Sequence, residues 1–176
     1  MRVQYLSKKN IKEIVKSLEL RKDVDKVIID LLRNAESVKV VSESKYEVIV
    51  ADNLPLLFKG PRYSGYAPTL FIVNYMYAKG VRLLPMVVVD EGAVDPLMRG
   101  ADVMIPGIRR VLTPFSVGDF VAVLEPGERY AIVVGYALID SSTIAPGVKG
   151  KGLRNLTWLN DDLWKLCMEI ARSESK

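Results

Sequence analysis

The sequence predicts an α+β protein in two parts: a module of helices and antiparallel strands, then a small, mostly β barrel. Three observations lead there. Apolar residues recur at helical spacing through the first 34 positions, and three short strand-like runs follow over residues 38–58. Beyond residue 84, short apolar runs alternate with Gly/Pro turns.

Taken in order, Val3–Leu6 reads as a strand and Ser7 as a helix cap. Ile11, Ile14, Val15 and Leu18 then form one apolar stripe, leaving Lys8, Lys9, Lys12 and Lys16 outward. Val24, Val27, Ile28 and Leu31 signal a second helix, with Asp23 as its expected cap and its end near Asn34. Strands are expected at Val38–Ser42, Tyr46–Val50 and Leu54–Phe58, joined through Lys45 and through Asp52-Asn53. A third helix is expected from Pro68 to Lys79, with Pro68 in its first turn and Gly80 past its end.

The second part opens with the apolar strand Met86–Val89 and a short helix, Glu91–Arg99, ended by Gly100. Asp102–Ile105, Phe120–Leu124, Ala131–Leu138 and Leu153–Trp158 read as strands, with Pro126-Gly127 turning between two of them. Leu163, Leu166, Cys167 and Ile170 close the chain as a helix capped by Asn160 or Asp161. The boundary between parts is expected near Arg82–Pro85 with almost no linker, so the two modules should pack rigidly.

Composition narrows the chemistry. The 176 residues include no histidine and one cysteine, Cys167. That removes the Ser-His-Asp triad, the Cys-His pair, imidazole bases, intramolecular disulfides and multi-thiolate zinc sites. No apolar run approaches a membrane span, so a cytoplasmic protein without membrane contact is expected. A single Gln beside the single Cys suits a thermophilic source. The net charge of +4 is uneven: residues 1–83 carry 15 basic and 9 acidic side chains, residues 84–176 carry 10 and 12. A basic half suits an anionic partner, and a solvated lysine-rich helix is the alternative.

The stretch from Gly92 to Arg110 holds the most chemistry: a helix ending on Gly100, a buried strand, then Pro106-Gly107 followed by Arg109 and Arg110. Glycines admit close approach, and free N–H groups in a turn can meet a phosphate. Lys149, Lys151 and Arg154 flank Gly147, Gly150 and Gly152, a second cationic turn. Gly147–Gly150 formally fits a GxxG loop but follows no suitable helix, and no Walker A pattern is present. Lys59, Arg62, Tyr63 and Tyr66 mix cations with rings; such tyrosines stack on bases or, the favoured reading, pack between modules. Trp158 and Trp164 are expected in or near the core, Asp161-Asp162 at a helix start, and Cys167 as a buried thiol.

The segment VVDEGAVDPLMRGADVMIPGI resembles the signature of the PUA domain, an RNA-binding pseudo-barrel. The resemblance continues through GDFVAVLEPGERYAIVVGYALID to KGKGLRNLTWLNDDLW, about residues 84–164. With LPLLFKGPRYSGYAPTLFIVNYMYAKGVRLLP leading into it, nearly the whole chain is similar to the malignant-T-cell-amplified family, and an archaeal member is implied. Ile105 stands where eukaryotic members tend to have Cys, and Asp162 where glycine is common.

The resemblance implies a pre-PUA domain over residues 1–83, then a PUA pseudo-barrel with a C-terminal helix over 84–176. It implies no catalysis and no cofactor, but binding of structured RNA (small-subunit rRNA or tRNA) in initiation, reinitiation or recycling. The small ribosomal subunit and a density-regulated-protein-like partner are the implied company. An adaptor in ribosome biogenesis or RNA modification is the alternative. On the PUA side the expected RNA contacts are Arg99, Gly100, Ala101, Pro106, Gly107, Arg109, Arg110, Lys149, Lys151 and Arg154. Lys59, Arg62 and Arg82 are added from the first module.

Overall fold

A computed structural model describes residues 1–173. Five antiparallel strands form the first sheet in sequence order: β1 (Arg2–Tyr5), β2 (Val38–Glu43), β3 (Tyr46–Ala51), β4 (Leu54–Gly60) and β5 (Tyr63–Pro68). Ser44 and Asp52 take left-handed φ of 54° and 52° in the two tight connections. Helices α1 (Lys8–Glu19) and α2 (Val27–Asn34) run between β1 and β2, and α3 (Leu70–Ala78) follows β5. Ser7 caps α1 as expected, its hydroxyl accepting from the Asn10 N–H at 3.2 Å.

Three local readings change. Asp23 does not cap α2; the Asp25 carboxylate accepts from Val27 N–H instead, and Asp23 is buried against the second module. Pro68 is not in the first turn of α3 but ends β5, paired with Leu57. Thr69 starts the helix: its hydroxyl accepts from Ile72 N–H at 3.0 Å and donates to Pro55 O at 2.7 Å. Strand β5 itself was missed, because Ser64 and Gly65 interrupt its apolar pattern.

The second sheet has six strands in the order β7-β11-β10-β9-β6-β8. They are β6 (Met86–Val89), β7 (Val103–Met104), β8 (Ile108–Val111), β9 (Phe120–Leu124), β10 (Ala131–Ala137) and β11 (Lys151–Trp158). Pairing is antiparallel except between β6 and β9. Helix α4 (Glu91–Leu97) links β6 to β7. The edge strands β7 and β8 are consecutive in the chain, so the single 3₁₀ turn Ile105–Gly107 spans the seam where the sheet curls round. Strand β8 has no counterpart in the sequence pattern, since Arg109 and Arg110 are both exposed and break the apolar alternation.

Continuous apolar runs in β6 and β9 arise because both faces are covered. Val87, Val89, Val121 and Val123 point into the barrel with Leu97, Val103, Phe115 and Leu153. Their neighbours Met86, Val88, Phe120, Ala122 and Leu124 belong to a second cluster shared with the first module. The last helix, α5 (Asp162–Ser173), adds Leu163, Leu166, Cys167 and Ile170 to that shared cluster and packs on β4, α3 and β11. Asp161 is its cap, accepting from Trp164 N–H at 2.7 Å while also holding Thr157 and Trp158. Cys167 is buried, and burial pushes its thiol pKa up.

Polar groups lock the two modules together. Asp23 takes both Nε and Nη2 of Arg21 and the Phe120 N–H at 2.6 Å, while Arg21 also donates to Gly118 O. Tyr63 packs edge-on against Phe120 at 5.2 Å and beside Tyr136 at 5.4 Å, between the modules as favoured. Asn74 exchanges two hydrogen bonds with Ala131, at 2.7 and 3.0 Å. No described helix is long and apolar enough to cross a membrane.

Candidate functional site

The seam of the curled sheet brings two left-handed glycines beside three cations, Arg109, Arg110 and Lys149. On one side of the Ile105–Gly107 turn lies an open cleft of about 510 Å³. Pro106, Arg109 and Arg110 form one wall, and Ile144, Pro146, Val148 and Lys149 of the β10–β11 connection form the other. Gly147 and Gly150 shape that connection with left-handed φ of 85° and 109°. On the other side a smaller groove of about 380 Å³ runs between α4 and β7, lined by Ala93, Pro96, Met104 and Gly107 and by Asp90 and Asp102. Met104 is 46% exposed there, an apolar surface beside the cationic cleft.

The tertiary structure sorts the expected residues into separate groups. Pro106, Arg109, Arg110 and Lys149 share the cleft, and Gly107 lies on the α4 side of the turn. Arg99, Gly100 and Ala101 form the exit of α4, where Gly100 N–H donates to Leu97 O and Ala101 N–H to Pro96 O. Lys151 pairs with Asp102 at 3.0 Å. Burial disfavours the Asp102 anion, but the Asn155 N–H and the Lys151 ammonium outweigh it and hold its pKa below the ordinary value. Arg154 lies over the Tyr136 ring at 5.8 Å, and Lys59 over Tyr66 at 4.7 Å. Arg82 faces a different groove, between Lys22, Pro114 and Phe115. None of these last four lines the cleft.

Arg62 is a clasp between modules. Its guanidinium donates to Gly100 O at 2.9 Å and Asn155 O at 3.1 Å, and lies 4.8 Å from the Trp158 ring centroid. Asn155 is fully buried beneath the same turn and donates its side-chain amide to Leu97 O and Ala101 O. The α4 exit is thus held from both modules. Gly100 has φ of +92°, and a Cβ there would lie 2.7 Å from Trp158 Cη2. Gly100→Ala is therefore expected to cost about 2–4 kcal/mol, from left-handed strain plus the clash. Urea denaturation reads this directly; a loss under about 1 kcal/mol would mean that Trp158 swings aside freely.

The cleft also has an acidic neighbour that the sequence did not announce. The turn after β9 aims Glu128 at Arg110, with which it forms an ion pair, and Pro126 O accepts from Arg109 Nη2 at 2.6 Å. Glu125 builds that turn, its buried carboxylate accepting from Gly127 and Arg129 N–H and from the Arg129 guanidinium. Burial opposes the Glu125 anion, yet these donors keep its pKa below the ordinary value. Pro126-Gly127 signalled a turn, but nothing local tells which cation that turn faces. Among the described residues, the side chains of Arg99 and Lys149 have no hydrogen-bond or ion-pair partner.

Comparison with known proteins places this geometry. The family model of the PUA domain matches residues 85–157. An uncharacterised protein of Methanocaldococcus jannaschii is 33% identical over 164 residues, covering 91% of this chain and 93% of that protein. Malignant T-cell-amplified sequence 1 of Rattus norvegicus is 31% identical over 139 residues, 77% of this chain and 74% of the relative. Among solved structures, an Aeropyrum pernix PUA-domain protein in complex with tartrate matches with a TM-score of 0.76 at 30% identity, covering 97% of this chain and 92% of that one. A hypothetical protein from Pyrococcus horikoshii matches with a TM-score of 0.78 at 27% identity, covering 94% and 99%. The curled sheet with its bridged seam, the five-stranded module in front of it and these alignments agree: the chain belongs to the malignant T-cell-amplified family of PUA-domain proteins.

Proposed function

We propose that this protein binds structured RNA, small-subunit rRNA or tRNA, during translation initiation, reinitiation or recycling, without catalysing a reaction. The observation that carries the reading is the clustering of Arg109, Arg110 and Lys149 around one open cleft beside the seam turn, within the residues matched as a PUA domain. Arginine forks and a lysine ammonium suit phosphate oxygens, and an open trough admits a backbone rather than enclosing a small substrate. The α4–β7 groove next to it offers the exposed Met104 to a base or ribose. Division into modules at residues 83 and 84 belongs to the same proposal, as do the small ribosomal subunit and a density-regulated-protein-like partner. Because residues 84–176 carry more acidic than basic side chains, attraction here is local rather than a bulk effect.

The test is binding to tRNA and to small-subunit rRNA across a salt series. Each phosphate neutralised contributes about −0.7 to −0.9 to the slope of log K against log salt. Arg109→Ala with Arg110→Ala should weaken binding about tenfold at moderate salt and flatten the slope by about 1–2. Unchanged affinity and slope would remove the cleft as the contact site.

A further inference from the structure

The cleft is not simply open to an anion, because the protein supplies one of its own. Arg110 is ion-paired to Glu128, and Arg109 donates to Pro126 O of the same turn. Of the three cations lining the cleft, two are therefore already engaged intramolecularly. The turn is not a chance surface contact. Glu125 is 4% exposed and fastens both ends of the turn through Gly127 N–H, Arg129 N–H and the Arg129 guanidinium. From the opposite side, Tyr77 of α3 donates its hydroxyl to Glu128 O at 2.7 Å. Glu128 itself holds a left-handed φ of +57°, unusual for a residue with a side chain. Two residues, Glu125 and Tyr77, thus hold the turn that presents one carboxylate to one arginine.

We propose that Glu128 is a built-in competitor for phosphate: it neutralises Arg110 in the free protein and is displaced when an RNA phosphate enters the cleft. This rests on the reading of the cleft as the RNA contact. Both partners of the pair are partly exposed, Arg110 at 52% and Glu128 at 36%, so the bond is weak enough to exchange. A phosphodiester offers two oxygens to neighbouring arginine forks, whereas Glu128 reaches only Arg110. Arg109 has only a neutral carbonyl, Pro126 O, to exchange for a phosphate oxygen. The competitor sets a threshold: an anion that reaches only one arginine fails to displace it, and a phosphate that engages both succeeds.

The experiment uses the full chain and tRNA, followed by fluorescence anisotropy at low and moderate salt. Glu128→Gln keeps the size of the side chain and removes its charge. It should tighten binding about two- to fivefold at low salt, with the gain shrinking as salt rises. Glu13→Gln, which removes the same charge from exposed α1, should leave affinity unchanged. In an Arg110→Gln background, Glu128→Gln should add nothing, because there is no longer an arginine to release. A gain that persists in that background would assign the effect to long-range charge and overturn the proposal. Absence of any gain from Glu128→Gln, while Arg109→Ala with Arg110→Ala still weakens binding, would overturn the competitor and leave the site intact. Indifference to the arginine pair would overturn both. Thermal unfolding of each variant distinguishes a folding defect from a binding effect.

Discussion

Phe120→Ala is expected to lower the free energy of unfolding by about 3–5 kcal/mol. The ring is 1% exposed and is the largest of the fully buried side chains. It lies on the face of β9 turned away from the barrel, so removing it empties the junction between the modules rather than either interior. Tyr63 meets it edge-on at 5.2 Å, and the Arg21 guanidinium lies 4.1 Å from its centroid. Truncation therefore forfeits dispersion and burial, and also strips a half-buried guanidinium of its aromatic floor. Urea denaturation should show the loss as a lower midpoint in a single transition. Two separated transitions would mean that the junction holds the modules without coupling their unfolding. A loss below about 1 kcal/mol would show that neighbouring side chains collapse into the space.

Asp23→Ala is expected to cost about 3 kcal/mol by a different route. The carboxylate is almost wholly buried, with its side chain 2% exposed, and it satisfies three donors: Arg21 Nε, Arg21 Nη2 and the Phe120 N–H. Removing it leaves the Phe120 N–H without an acceptor and the Arg21 charge without its counterion. Burial works against that guanidinium, and it is chiefly its bond to Asp23 that raises the Arg21 pKa above the usual value. Asp23→Asn should lose less, since an amide oxygen can still accept from Phe120. Because Asp23 and Phe120 share Arg21, the double variant should lose less than the two single losses added together. Additive losses would show that the ion pair and the ring act independently.

Strands β6 and β9 were legible because they are buried on both faces, so their sequences are apolar without interruption. Helices α1 and α5 were legible because one stripe of each is buried and the other is wet. The strands that escaped notice, β5 and β8, break both patterns: β5 carries Ser64 and Gly65, and β8 places two arginines in succession. Asp23 precedes a helix and so resembles a cap, yet its carboxylate accepts from Arg21 and from the Phe120 N–H, 97 positions away, instead of from the helix. Short-range pattern cannot distinguish those uses, because the competing donor belongs to a distant segment.

The candidate site divides the same way. The sequence by itself determined that histidine chemistry is absent, that Gly100, Gly147 and Gly150 mark turns, and that Arg109-Arg110 and Lys149 follow glycine-rich segments. These follow from residue identity and from backbone preferences that act within a few positions. Only the tertiary structure decided which cations face one cleft and which are spent elsewhere. Arg62 donates across 38 and 93 residues to carbonyls, Lys151 is neutralised by Asp102, and Glu128 covers Arg110. An arginine's availability depends on the acceptors that chain closure brings within about 3 Å of it. Those contacts are set by the packing of the two sheets around a shared core, not by any local pattern.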